Sequence, residues 1–325
     1  MSTADSSATV TLPRYNLFGQ NQLAMDYNLV LADKKKCTGT LPDNVRVAID
    51  PNSTIDLTHA YHALRMPDLA TFAGAGFPFT VNPDLAGTTV IMAPDPQPAT
   101  VEAFLMLMGR FGDSTGAPAT AVTVASSADA DQLRDQDVLV IGPSSLAGDD
   151  ALFAGAPVHF ENGRLRVAER TALQNVTALF GGTDTDDPDD AAPVVYNARG
   201  FAGIVSFRSP FASKRTVVAV LADDRAALPG IVSGMADTKI NATIQGDLSV
   251  TDGDGMTSFL LGNTYWVGSL PAWMKIAYWF SGRPLLMGLA TLLLAVVLAG
   301  PAYFYFRRQA ERRLANKDGV NKDGH

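Results

Sequence analysis

The sequence predicts an α/β plus all-β fold on a membrane anchor. The expected parts are a partial antiparallel β-sandwich, a flavodoxin-like α/β domain, an interfacial amphipathic helix and one C-terminal transmembrane helix. Three observations predict it. Short alternating runs broken by turn residues fill the chain to about residue 86. From Thr88 onward, apolar strands alternate with helical segments. Residues 284–306 then run for 23 positions without a charged side chain. With 325 residues, 47% of them apolar and 18% charged, the chain has the length of roughly two domains and ample material for a core.

In the first part, Val10–Leu12, Gln22–Leu31 and Val45–Asp50 alternate apolar and polar residues. Phe18-Gly19-Gln20-Asn21 and Leu41-Pro42-Asp43-Asn44 supply the positive or fixed φ angles that turns require. The sandwich is incomplete, with its opening strands expected upstream.

The second part, expected over 87–265, begins with the apolar run Thr88–Ala93. A helix follows from Thr100 to Phe111, with Val101, Phe104, Leu105 and Met108 on one face. Ala121–Val124 and Val138–Ile141 read as strands around a short helix at Asp129–Asp135. Ala172, Leu173, Val176 and Leu179 mark a further helix, Val205–Phe207 and Val217–Leu221 further strands, and Ala226–Met235 the last helix. This alternation implies a mostly parallel sheet. The connection after its first strand, Pro94-Asp-Pro-Gln-Pro-Ala-Thr100, holds three prolines and no glycine-rich cradle. Prolines lack the N–H donors that a bound phosphate needs, so no flavin, dinucleotide or other cofactor is expected. Asp184-Thr-Asp-Asp-Pro-Asp-Asp190 lacks the glycine turn and closing glutamate of a calcium loop and reads as a solvated acidic loop.

The span 284–306 reaches roughly 34 Å as a helix, enough to cross a hydrocarbon core of ~30 Å. Trp266, Trp273, Trp279, Tyr265 and Tyr278 precede it, and Tyr303 and Tyr305 lie at its far end, the pattern of two aromatic belts. Pro271–Gly282 opens on proline, closes on glycine and places Trp273, Ile276, Ala277 and Phe280 on one face. It reads as a helix lying in the interface, the alternative being the first turns of a longer bent span. Thr291, Ala295 and Ala299, four residues apart, form a small-residue stripe against which another helix could pack; such residues are also common in any span.

The net charge is −8, yet the tail 307–325 carries six basic and three acidic residues. A basic flank places the tail in the cytoplasm and the preceding residues in the periplasm, and an acidic body excludes a nucleic-acid partner. No leader is visible in residues 1–25, so the chain is expected to be the C-terminal piece of a longer precursor. Cys37 is the one cysteine, free or paired outside this piece.

Catalytic patterns are scarce. His59 and His62 could share a helical face but lack a carboxylate at metal spacing, so no metal is expected. There is no nucleophile elbow and no Cys–His arrangement, and no catalytic residue is assigned. Arg308-Gln-Ala-Glu-Arg312 matches R-x-x-x-R, a fragment of cyclic di-GMP-binding sequences, but the second half of that motif does not follow, and a juxtamembrane cluster meeting anionic headgroups is the far commoner explanation.

His62-Ala-Leu-Arg-Met-Pro-Asp-Leu-Ala-Thr-Phe-Ala-Gly-Ala-Gly-Phe-Pro-Phe79 and Leu85–Met92 resemble BcsB, the periplasmic subunit family of bacterial cellulose synthase. Glu102–Gly112 is similar to the helix that follows in that family, and Asp137–Pro143 to its next buried strand. The resemblance covers about residues 55–313. It implies a jelly-roll carbohydrate-binding domain, ending here by residue 86, then a flavodoxin-like domain and an anchor at the inner membrane. It further implies a non-enzymatic accessory role in a cyclic di-GMP-linked pathway. The partners would be the cellulose synthase catalytic subunit, nascent cellulose and the lipid bilayer. The helix 271–282 and the stripe Thr291, Ala295 and Ala299 would brace that catalytic subunit, and Tyr27, Tyr61 and Phe79 are the aromatics expected to stack on sugar. The alternative is a membrane-anchored periplasmic enzyme acting on polysaccharide.

Overall fold

Two short apolar runs, Val138–Ile141 and Val217–Leu221, form the middle of one sheet. The computed structural model describes residues 9–10, 49–50, 52–58, 61–161, 164–169, 185–196, 200–252, 255–281 and 284–320, without the side chains at 279–287, 289–290 and 310–320. The expected strand Gln22–Leu31 and the helix marked by Ala172 to Leu179 lie outside the described residues, as do most of Val10–Leu12 and Val45–Asp50. Contacts divide the chain into two units: Met1–Ala168 with Thr185–Ser269, and Glu169–Asp184 with Leu270–His325.

The first unit contains, in chain order, β1 (Ala63–Met66), α1 (Leu69–Ala75), β2 (Thr88–Ile91), α2 (Pro98–Thr115), β3 (Thr123–Ala125), α3 (Ala130–Leu133), β4 (Asp137–Pro143), β5 (Val158–Glu161) and β6 (Arg164–Val167). It continues with α4 (Pro188–Val195), β7 (Ala202–Arg208), β8 (Thr216–Ala222), α5 (Leu228–Ala236), α6 (Thr238–Asn241), β9 (Leu248–Thr251), β10 (Met256–Phe259) and β11 (Tyr265–Gly268). Seven strands make the main sheet in the order β10-β9-β7-β8-β4-β2-β3. The neighbours β3, β2, β4 and β8 are parallel. By contrast, β7 runs antiparallel to both β8 and β9, and β10 antiparallel to β9. The expectation of a mostly parallel sheet is therefore corrected to a mixed one. Only residues 209–215 join β7 to β8, too few for a parallel crossover, which takes a dozen or more.

Both faces of the sheet are covered, which is why its central strands read as continuous apolar runs. Leu139, Ile141, Val218 and Val220 face a core shared with Phe72, Leu107, Phe111 and Ile231. Val138, Val140, Val217 and Ala219 face the other, with Leu152, Phe153 and Phe207. Leu69, Phe72, Phe79 and Leu85 belong to the same core as Val90. The expected division at residue 86 is thus corrected: the α/β packing begins before it.

Local chemistry sets the ends of the helices around that core. Asp68 caps α1 by accepting from the Ala70 N–H at 3.0 Å. The chain leaves α1 through Gly76 in the left-handed region, where an added Cβ would meet the ring of Phe111. The carbonyl of Ala73, near the C-terminus of α1, accepts from Arg110 of α2 and from Asn241 of α6. Pro98 opens α2 at a position that needs no N–H donor. The buried face of α2 is Thr100, Ala103, Leu107 and Phe111, while Leu105 is 60% exposed. This corrects the expected face by one position: small Thr100 and Ala103 hide the true stripe in a helix that is apolar nearly all round.

A two-stranded ribbon pairs β1 with β11, with Arg65 opposite Trp266 and Met66 opposite Tyr265. A second pairs β5 with β6. In the second unit, α7 (Ala272–Ser281) occupies the segment expected as a helix. After it, α8 (Pro284–Val320) runs well past the expected end at residue 306 and carries Pro301 inside it.

Candidate functional site

Parallel α/β sheets bind ligands beyond the carboxyl ends of their strands, where connections diverge to either side. Here that point lies between β2 and β4. After β2 come Pro94, Pro96 and Pro98, and Gln97 makes no side-chain bond to the start of α2. After β4 comes Ser144, whose buried hydroxyl has no hydrogen-bond partner among the described residues. After β8, Asp223 accepts from the Phe201 N–H at 2.7 Å, and Asp224 caps the following turn. Prolines and carboxylates dominate this edge, a lining that repels phosphate rather than holding it.

The opposite end of the sheet carries a polar network. Asp137 opens β4 and accepts from the Arg215 guanidinium at 2.9 Å and the Thr216 N–H at 2.8 Å. The Thr216 hydroxyl shares a 2.7 Å hydrogen bond with the phenol of Tyr265 on β11. Arg208 lies over the Tyr265 ring, 4.7 Å from its centroid. Burial raises the Asp137 carboxyl above its ordinary range despite Arg215, and pushes the Tyr265 phenol up to about 12. The phenol therefore stays protonated near neutrality, and the network ties the β1–β11 ribbon to the sheet. It holds no nucleophile beside a base.

Of the aromatics expected at a membrane interface, Trp266 sits half-buried on the ribbon. Trp273 and Tyr278 project from α7, 63% and 47% exposed, and the Trp279 side chain lies outside the described residues. On α8, Thr291, Ala295 and Ala299 are exposed, in a run with exposed Leu292, Leu293, Leu294, Val296, Val297 and Leu298. Among the described residues no helix is long and apolar enough to cross a membrane. The expected span 284–306 falls partly outside them, at the side chains of 284–287, 289 and 290.

The three expected sugar-stacking residues separate. Tyr27 lies outside the described residues, and Tyr61 is exposed. Phe79 is corrected: it is only 1% exposed, stacked on Phe111 at 5.7 Å and edge-on to Phe72 at 5.9 Å. A ring enclosed in this way has no face left for sugar. Cys37 and His59 also lie outside the described residues. Among the described residues no group of three or more His, Cys, Asp or Glu could hold a metal ion. The acidic loop has structural tasks instead: Asp187 caps α4 through the Asp189 N–H, and Asp186 accepts from the Leu260 N–H at 2.7 Å. Sequence reasoning missed these bonds, and also missed Asp137 and Tyr265 as partners, because only the fold brings them together.

Two family models match the chain in order. The one described as cellulose synthase BcsB, second CBM domain, matches residues 1–54; the one described as cellulose synthase BcsB, second FD domain, matches residues 62–220. A cyclic di-GMP-binding protein of Komagataeibacter sucrofermentans is 34% identical over 93% of this chain and 39% of its own length. Cellulose synthase 2 of Novacetimonas hansenii is also 34% identical, over 93% of this chain and 19% of its own length. A cyclic di-GMP-binding protein of Escherichia coli K12 is 29% identical over 95% of this chain and 40% of its own length. The chain thus spans about two fifths or less of the length of these relatives. Two domain models in the right order, and relatives matched along nearly the whole chain, lead to one assignment: the chain belongs to the cellulose synthase BcsB family.

Proposed function

We propose that this chain is a non-catalytic, membrane-anchored part of a cellulose synthase complex that supports the catalytic subunit and guides the emerging glucan across the periplasm. The observation that carries the reading is the ordered match to a carbohydrate-binding and an FD domain of one protein. In the proposed layout, the all-β part offers a glucan surface that includes Tyr61 and Tyr27. The α/β domain is a rigid body, and α7 with Trp273, Tyr278 and Trp279 lies in the bilayer interface. Residues 284–306 of α8 cross the inner membrane once, with the basic tail in the cytoplasm. The stripe Thr291, Ala295 and Ala299 packs against the catalytic subunit. Exposed apolar side chains along one helix support this, since water does not favour such a surface. Two of the relatives described above are named cyclic di-GMP-binding proteins. We place this chain in the same signalling pathway through its complex.

The test is co-purification with the catalytic subunit and incorporation of UDP-glucose, comparing the chain with a version lacking residues 271–313. The truncation is expected to lose both association and glucan synthesis. Full synthesis by the catalytic subunit with the truncated chain would overturn the bracing role. Turnover of glucan by the chain alone would overturn the non-catalytic one.

A further inference from the structure

The turn that joins β7 to β8 carries a cluster of positive charge. Arg208 ends β7, and Lys214 and Arg215 precede Thr216, the first residue of β8. The ladder continues into the turn through the Ser209 N–H, which donates to the Arg215 carbonyl at 2.9 Å, so the three cations share one short hairpin end. Asp137 already holds the Arg215 guanidinium. Arg208 and Lys214 are exposed, and among the described residues their side chains make no hydrogen bond or ion pair. Arg208 is nevertheless fixed: its guanidinium lies over the Tyr265 ring, a contact that uses its flat face and leaves the N–H donors of the fork for a ligand. Such a preset fork suits a phosphate, and Lys214 adds a point charge in the same turn.

What this turn meets depends on where β11 leads. Tyr265 lies in β11, which ends at Gly268, and three residues, Ser269 to Pro271, join it to α7 at Ala272. That stretch of chain is at most roughly 14 Å long. The sequence on both sides is free of negative charge: no aspartate or glutamate occurs from Ala191 to Ala222 or from Gly255 to Ala310, although acidic residues outnumber basic ones in the chain as a whole. An anionic surface repels an acidic body and attracts this edge of it.

We propose that Arg208 and Lys214 bind the phosphate headgroups of anionic lipids, and so set which edge of the α/β domain faces the membrane. The proposal rests on the reading of α7 as an interfacial helix. With α7 in the interface, the short linker keeps the Tyr265 end of β11, and Arg208 stacked on it, within reach of the headgroup layer. Each of the two cations contributes about a fivefold gain in association with an anionic surface, lost as salt screens it. The Tyr265 ring then has a second task beside joining the ribbon to the sheet, which is to present Arg208.

The test is amide hydrogen exchange of the full chain in nanodiscs, of phosphatidylcholine alone or mixed with phosphatidylglycerol, read on peptides covering 209–215 and 272–281. Exchange in the turn is expected to slow by roughly tenfold in the anionic discs and to recover at high salt, while α7 is protected in both. Lys214→Glu, at an exposed side chain, should remove the slowing and leave α7 unchanged. A protected α7 with a turn that ignores lipid charge would overturn the headgroup site and leave the interfacial helix standing. Slowing that survives Lys214→Glu would overturn the headgroup site too. Fast exchange of α7 in both discs would overturn the interfacial helix, and the headgroup site with it. A turn that slows only when the catalytic subunit is added to neutral discs would assign the cations to an acidic protein face and overturn the lipid reading.

Discussion

Phe79 and Tyr61 are both aromatic, close in sequence and equally plausible as sugar platforms on paper, yet one is enclosed and the other exposed. Phe79→Ala is expected to cost about 3–5 kcal/mol of stability through the cavity left beside Phe72 and Phe111. Chemical denaturation of the full chain measures this, and glucan affinity of the folded fraction should not change. Tyr61→Ala should alter stability by no more than about 1 kcal/mol while weakening cello-oligosaccharide binding in calorimetry. Unchanged affinity would remove Tyr61 from the glucan surface. Asp137→Ala strips the Thr216 N–H and the Arg215 guanidinium of their acceptor and is expected to cost about 1–3 kcal/mol, again read by denaturation. Residue type was readable for each of these positions. What was not readable was the set of partners, because Asp137, Thr216 and Tyr265 lie far apart in the chain. Enclosure of Phe79 likewise depends on Phe111, supplied by the next helix.

Among the elements, those that the sequence showed best are buried on both faces. The runs 138–141 and 217–221 are apolar at every position, and both lie inside strands. Strands β5 and β6, with Arg164, Arg166 and Glu161, and β9 with its serine and threonine lack that signature and went unread. Strand direction also went unread for β7, since periodicity reports which face is buried and not which way the chain runs. Periodicity was ambiguous in α2, where too many positions are apolar for one stripe to stand out. For α8 the proposed span gives a direct expectation. Leu294→Arg, near its middle, should add about 3 kcal/mol to the cost of insertion. Alkaline carbonate should then release the variant from membranes that retain the native chain, and equal retention of both would count against the span.

At the scale of the whole molecule, both core clusters are built on one sheet that draws on residues from Leu69 to Leu261. A fragment covering residues 61–269 is therefore expected to unfold in urea as a single transition, coincident by far-UV and near-UV circular dichroism. Two separated transitions would mean that the two faces of the sheet are independent. The β1–β11 ribbon adds a constraint of timing. Ala63 pairs with Gly268, and Gly268 has a backbone conformation and a closeness to His62 that no other residue fits easily. The chain is made from its N-terminus, and pairings between distant residues are the slowest to form. Residues 63–66 thus wait for their partner strand while the seven-stranded sheet is synthesised, and that strand arrives only just before Pro284, the first residue of α8. Completion of the domain and delivery of the apolar helix become nearly simultaneous events in the life of the nascent chain.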